Sequence, residues 1–292
     1  MKVIQPPVIL PLLKTQILRF WKELQYIQRT SILRILFPVV RSRRMIWKTE
    51  RLHMFMTALE LTPMETVLPT MCCWFGENND TNALFGHQTR NLTVVVRDGA
   101  TGKFAAFLLP EDFGVMLPRF NIGSFTAAKK NEILVSVETG GSGGIVLYAL
   151  MAYENKKVVP VVSQEELNKG LDLKVVCLPG FEMKIIDKNT GVNSSVNFRD
   201  GEAVPWYIDS GVYNKAGVFL KDQSYVDDEV MEDVFVSLDP ADDDGDGTQE
   251  LHGKQRISFI AHANTVAWAE SVWSVKGGRL RLVSEKIEAY NP

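Results

Sequence analysis

The residues from Asp242 to Glu250 are the part of this sequence whose types and spacing best suit a chemical task. Aspartates recur at alternate positions, glycines let the backbone turn tightly, and a glutamate closes the segment. Carboxylates held so close repel one another, and a hard cation such as Ca²⁺, which takes about six to eight oxygen ligands, relieves that repulsion. We therefore predict a calcium site with these ligands: Asp242, Asp244, Asp246, Glu250 and the backbone carbonyl of Thr248. The alternative is a solvated acidic turn, because Asp and Gly are common in turns.

The spacing of this segment excludes the helix–loop–helix kind of calcium loop. That loop needs a bidentate Glu at its twelfth position, and the twelfth residue counted from Asp242 is Gly253. Leu251 and a strand-like run at residues 256–260 follow the acids instead. The segment thus resembles the loops of FG-GAP/VCBS repeats, which occur in β-propellers of the integrin-α type. This resemblance implies a loop that joins two strands of one blade and binds calcium structurally.

From about Asn91 onward, short β-rich runs alternate with turns rich in Gly, Asn and Asp. Runs of this length between turn signals predict an all-β fold. They lie at residues 92–97, 103–109, 132–137, 144–153, 174–178, 182–186, 234–238, 256–261 and 279–284. With the acidic segment and the pieces at residues 98–102, 139–144 and 262–265, residues 91–290 resemble secreted FG-GAP/VCBS-like proteins of Gram-positive bacteria. That resemblance implies a mainly β fold of propeller-like blades and an extracellular or cell-surface location.

The acidic segment has a second copy that lacks most of its acids. Residues 124–132 align with it so that Glu132 falls on Glu250, as expected for an internal repeat. Because the inner acids are missing, we predict that this copy does not bind calcium. Lys129 or Lys130 would supply the positive charge that a metal ion would have supplied.

The N-terminal part of the chain differs in character from the rest. Residues 1–48 carry ten Lys and Arg but one acid, and apolar residues recur at helical spacing over residues 13–27. Such a basic amphipathic helix could lie on an anionic membrane. We divide the chain into a basic N-terminal segment, residues 1–75, and a β domain, residues 90–292.

The codons of residues 63–75 suggest a third copy of the loop in another reading frame. If the possible codons of these residues are read from each third base, the shifted frame accommodates a run of alternating Asp and Gly followed by Val-Leu-Leu-Val. That run would be the same loop followed by a strand. We hypothesise that residues 1–75 were translated in the wrong frame or are disordered. Stop codons in the second frame of the nucleotide sequence would disprove the frame shift.

Composition limits the classes of partner. A chain of 292 residues with 46% apolar residues can bury a sizeable core, and a net charge of −3 argues against nucleic acid as its partner. Three cysteines form neither a disulfide framework nor a zinc motif. The sequence contains no uncharged apolar stretch long enough for a transmembrane helix.

A glycine-rich segment at residues 140–144 offers a rival site. It fits the G-x-S-x-G elbow of serine hydrolases, and Ser142, an acid such as Asp242, and His262 occur in hydrolase order. The elbow needs a helix after the serine, whereas the β-like run 145–148 follows here. We therefore predict a glycine-rich turn.

The sequence favours a non-enzymatic, extracellular binding or adhesion module stabilised by calcium, with an unknown protein or carbohydrate as its ligand. One alternative is a serine hydrolase that uses Ser142 and His262. Another is a membrane-surface protein anchored by the basic N-terminal helix, which requires that this segment is in its genuine frame.

Overall fold

The computed structural model describes residues 43–48, 53–58, 71–78, 89–110, 116, 118–262 and 264–290, with side chains from Leu92 onward. The predicted amphipathic helix at residues 13–27 lies outside the described residues. Residues 59–70 also lie outside them, and these include most of residues 63–75, whose codons suggested a second reading frame. None of the described helices has the length and the apolar character that crossing a lipid bilayer requires.

The described chain is mainly β, which confirms the predicted class, and its strands form four sheets. Every sheet is an antiparallel meander in which strands adjacent in sequence are neighbours in space. The first sheet contains β1 (Arg43–Lys48), β2 (His53–Ala58), β3 (Met71–Asn78), β4 (Thr89–Arg97) and β5 (Phe104–Leu108), and the second contains β6 (Arg119–Gly123), β7 (Glu132–Glu138), β8 (Val146–Glu154) and β9 (Lys157–Pro160). The third contains β10 (Leu173–Leu178), β11 (Glu182–Asp187) and β12 (Asn193–Asn197), and the fourth contains β13 (Val230–Ala241), β14 (Glu250–Phe259), β15 (Thr265–Lys276) and β16 (Arg279–Ala289).

Three short helices lie in the connections on either side of the third sheet. They are α1 (Gln164–Leu167), α2 (Val204–Asp209) and α3 (Gln223–Glu229). Ser163 caps α1 by accepting the N–H of Glu166, and Asp222 caps α3 by accepting the N–H of Tyr225. These side chains satisfy donors that the first turn of a helix leaves unpaired.

The second sheet is buried on both faces. Ala149 and Met151 of β8 pack in a core shared with the first sheet, whereas Tyr148 and Leu150 pack in a core shared with the fourth sheet. Successive side chains of a strand point to opposite faces. The second sheet therefore lies between the first and the fourth, which explains the nearly continuous apolar runs of its central strands.

One face of the fourth sheet packs against two other sheets. In β14, Leu251 packs with the second sheet, whereas Ile257 and Phe259 pack with the third. Gln255 lies between them on the same face, and its Oε1 accepts the N–H of Leu171 at 2.6 Å. That bond satisfies the backbone where the chain crosses from α1 to β10. The opposite face carries charged side chains that pair across the strands.

Each of the nine predicted β-rich runs overlaps a strand, whereas the runs do not include β1–β3, β6, β9, β12 or β15. In the first half of β15 the positions that face the core are Ala267, Ala269 and Ser271, and Trp273 and Val275 continue this face in the second half. Small side chains fit there because the strand lies beside the buried Gln255 and Ile257 of β14. Large apolar residues are therefore missing from alternate positions in the first half of the strand, and this weakens the period that marks a strand.

Candidate metal centre

The acidic segment forms the connection between β13 and β14. β13 ends at Ala241, eight residues follow, and Glu250 is the first residue of β14. Gly245 and Gly247 have φ angles of 75° and 85°, a conformation that glycine adopts without steric cost. The loop joins two neighbouring strands of one sheet.

Aspartate side chains hold this loop in shape by accepting hydrogen bonds from its backbone. Asp242 accepts the N–H of Gly245 through Oδ1 at 2.8 Å and the N–H of Gly247 through Oδ2 at 3.0 Å. Oδ1 of Asp244 accepts the N–H of Asp246 at 3.1 Å. Asp side chains often close local turns in this way. The loop itself therefore restricts how its carboxylates are oriented.

Three of the five predicted ligands converge. Asp242, Asp244 and Glu250 each place a carboxylate oxygen so that these oxygens lie within 4.8 Å of one another. Asp246 is not part of this group, and its Oδ1 accepts the N–H of Thr248 at 2.6 Å. Carboxylate oxygens at this spacing are the ligands that a hard divalent cation prefers.

Two further contacts tie the start of the loop to β14. The N–H of Asp243 donates to Oε2 of Glu250 at 3.3 Å. Oδ2 of the same aspartate lies 2.9 Å from Nε2 of His252. Asp243 therefore pairs with β14 through both its backbone and its side chain, and its own carboxylate is not part of the converging group.

The connection between β6 and β7 repeats the geometry of the acidic loop. Eight residues separate Gly123 from Glu132, the first residue of β7. The N–H of Phe125, the second residue of this connection, donates to Oε2 of Glu132 at 2.9 Å. This is the same bond, over the same seven residues, that joins Asp243 to Glu250. The predicted alignment of the two segments is therefore present in the structure.

A positive φ angle recurs at the sixth position of both loops. Lys129 has a φ of 64°, and Gly247 at the equivalent position has a φ of 85°. A lysine with positive φ is uncommon. The two loops thus share a left-handed residue at the sixth position even where glycine is absent, whereas the positive φ of Gly245 at the fourth position has no counterpart at Ala127.

Donors surround the completely buried carboxylate of Glu132. The N–H and the hydroxyl of Thr126 donate to Oε2 and Oε1 at 2.9 Å and 2.6 Å. Nζ of Lys130 lies 3.1 Å from Oε1 of Glu132 and 3.0 Å from Oε1 of Glu154. Hydrogen bonds to Glu154 and Glu132 raise the pKa of Lys130. Of the two lysines predicted to supply a positive charge, the structure selects Lys130, whereas Lys129 is exposed.

The two loops touch each other, which the sequence did not reveal. The N–H of Gln249 donates to the carbonyl of Ser124 at 2.6 Å. A methyl group on Gly123 would lie 1.6 Å from Oε1 of Gln249, and one on Gly247 would lie 3.2 Å from Cβ of Ala128. The acidic loop is therefore packed against the second sheet.

Of the two residues of the hydrolase alternative, the structure places His262 beside a carboxylate, which belongs to Asp233 of β13 and not to the acidic loop. Nδ1 of His262 lies 3.2 Å from Oδ2 of Asp233. The carbonyl of Ser142 accepts a hydrogen bond from Nη2 of Arg256 at 2.8 Å, and Nε of that arginine lies 3.5 Å from Oδ2 of Asp233. Among the described contacts, no hydrogen bond joins the Ser142 hydroxyl to His262. The strand β8 begins at Val146, so the glycine-rich turn leads into a strand, as predicted.

Comparisons with known proteins find one family and one relative. Residues 171–288 match the family described as the YybI C-terminal domain, a range that contains the third sheet and most of the fourth. The chain is 27% identical to the "Uncharacterized protein YybI" of Bacillus subtilis (strain 168) over 204 residues. The aligned region covers 69% of this chain and 73% of that protein. No solved structure matches this chain.

Proposed function

We propose that this protein is a non-enzymatic, extracellular or cell-surface module for binding or adhesion, and that calcium bound at residues 242–250 stabilises its β fold. The observation that carries the proposal is the convergence of three carboxylates, from Asp242, Asp244 and Glu250. The remaining ligands would be Asp246, after a change in its side-chain orientation, and the carbonyl of Thr248. A divalent ion would offset the repulsion among these carboxylates.

The site would act on stability, because the loop is also a contact between two sheets. The N–H of Gln249 in this loop donates to the carbonyl of Ser124, and Gly247 packs against Ala128. An ion that narrows the conformations of the loop would hold these contacts in place. Calcium would thereby stabilise the junction of the second and fourth sheets as well as one turn.

We also propose that the second and fourth sheets are propeller-like blades. Propeller blades are four-stranded antiparallel sheets packed around an axis, and the second and fourth sheets are four-stranded meanders that share a core. We take them as propeller-like blades of the FG-GAP/VCBS kind, with a protein or carbohydrate as the ligand. The net charge of −3 makes nucleic acid a poor partner.

Thermal unfolding of the full chain in millimolar calcium and in EDTA tests the calcium site. An ion at a hundred times its Kd stabilises the folded state by about 2.7 kcal/mol, which raises the Tm of a domain of this size by roughly 5–10 °C. We expect the parent to show such a rise and Asp244→Ala to lose it, with little change in EDTA. Asp228→Ala removes an exposed acid outside the loop and should keep the rise. Equal Tm values of the parent in calcium and EDTA would contradict the proposal.

A serine hydrolase is the second candidate, and the pairing of His262 with Asp233 favours it. A carboxylate at Nδ1 leaves Nε2 free to act as a base, which is the arrangement of a catalytic dyad. A fluorophosphonate probe separates the two candidates. Labelling that disappears in Ser142→Ala would support the hydrolase, whereas an unlabelled parent would support the binding module.

The membrane-surface alternative depends on residues 1–48, which lie mostly outside the described residues. Its support is the excess of ten Lys and Arg over one acid, a charge that attracts anionic lipid. Sedimentation of the full chain with anionic vesicles tests it, and binding that neutral vesicles match would contradict it.

A further inference from the structure

We infer that the loop at residues 124–132 is a cation site filled by the chain's own ammonium group, that of Lys130, and that shortening this side chain turns the loop into a site for free Ca²⁺. The inference rests on the proposed function only for the identity of the free ion. The equivalence of the two loops rests on their length, their closing hydrogen bond and the positive φ at their sixth position.

A buried carboxylate explains why a cation is needed here. Glu132 is 0% exposed, and a carboxylate removed from water requires a charged partner as well as hydrogen bonds. Thr126 and Phe125 supply neutral donors. Lys130 supplies the charge and at the same time bridges to Glu154 at the end of β8. The ammonium therefore holds together two strands of the second sheet at the loop.

The position of the ammonium is open to solvent, so a free ion could reach it. The side chain of Lys130 is 41% exposed, and that of Glu154 is 48% exposed. Oε1 of Glu132 and Oε1 of Glu154 lie 3.1 Å and 3.0 Å from Nζ, and the Thr126 hydroxyl donates to the same Oε1 of Glu132. Removing the ammonium leaves two carboxylates around its position, and carboxylate oxygens are hard ligands of the kind that Ca²⁺ takes.

The test compares Lys130→Ala with Lys129→Ala in the Asp244→Ala background, where the acidic loop is disabled. Lys129 is the matched control because it is the exposed neighbour that carries the same charge. We expect Lys130→Ala to lower Tm in EDTA by roughly 3–6 °C and millimolar calcium to restore at least half of that loss. The Lys129→Ala variant and Asp244→Ala alone should show neither effect. Adding Glu154→Gln to Lys130→Ala should abolish the restoration.

Two outcomes would overturn the inference: a calcium response of the Lys130→Ala chain no larger than that of Asp244→Ala alone, or an equal loss of Tm in Lys129→Ala. If Lys130→Ala fails to fold, Lys130→Thr is tested in the same way. Threonine is chosen because Thr248 occupies the equivalent position of the acidic loop. The Asp244→Ala background separates the two hypotheses. A parent without a calcium response refutes the proposed function, whereas only the Lys130 variants decide the filled site.

Discussion

The loops at residues 124–132 and 242–250 share a closing bond but differ in what surrounds it. In the first, the closing Glu132 is completely buried and pairs with Lys130 of the same chain. In the second, Asp242 and Asp244 are exposed and Glu250 is half-buried. A buried charge needs a partner that never leaves, whereas an exposed cluster can exchange its cation with solvent. The same backbone can therefore serve as a permanent junction or as a site that responds to calcium.

The largest expected effect comes from removing the buried member of this comparison. We expect Glu132→Gln to lower the free energy of unfolding by about 3 kcal/mol in both calcium and EDTA, because it leaves a lysine and several buried donors without their charged acceptor. The matched Glu250→Gln should cost less than about 1 kcal/mol in EDTA and more in calcium. Urea denaturation of both variants measures these values. A loss at Glu132 that depends on calcium as strongly as the loss at Glu250 would remove the distinction.

A smaller effect is expected where the two loops touch. A methyl group on Gly123 would overlap Gln249, so Gly123→Ala should cost about 1–2 kcal/mol. The side chain of Gln249 is the obstacle, and Gly123→Ala with Gln249→Ala should therefore cost less than the sum of the two single changes. A double-mutant cycle by urea denaturation checks this. Additive costs would mean that the loops are not coupled through this contact.

The pH dependence of Lys130 sharpens the comparison further. Its pKa is raised in the folded state above the ordinary 10.5 by its hydrogen bonds to Glu154 and Glu132. The stabilisation is therefore complete below the unfolded pKa and is lost as pH rises through the folded pKa. We expect the difference in Tm between the parent and Lys130→Ala to be constant from pH 7 to about 9 and to shrink above about 10.5. A difference that stays constant to pH 11.5 would show that the ammonium charge does not act there.

The smallest effect is expected at Asp246. Its carboxylate lies outside the converging group and accepts the N–H of Thr248, so it must turn before it can bind an ion. Asp246→Ala should therefore weaken the calcium response less than Asp244→Ala does and cost under about 0.5 kcal/mol in EDTA. Calcium titration of Tm for Asp246→Ala and Asp244→Ala compares the two positions directly. A calcium response of Asp246→Ala equal to that of the parent would show that this side chain is not a ligand.

Local patterns in the sequence predicted most of the strands and the two related loops. Alternating apolar residues and Gly-rich turns are read within ten residues, so the nine predicted runs overlap described strands. The same patterns did not mark every strand; in the first half of β15, for example, Ala267, Ala269 and Ser271 face the core. Small residues are required there by neighbouring strands, and that requirement leaves no period of its own in the sequence.

The sequence by itself determined the type and the spacing of the loop residues, because the hydrogen bonds that shape each loop join residues at most seven positions apart. Tertiary structure decided which of two lysines faces Glu132, that the two loops touch, and that His262 pairs with Asp233. Which lysine faces Glu132 depends on the end of β8. The contact between the two loops and the pairing of His262 with Asp233 depend on how strands and sheets pack. No local pattern of residues encodes the distance between two strands that are far apart in the chain, so only the packed fold brings these groups together.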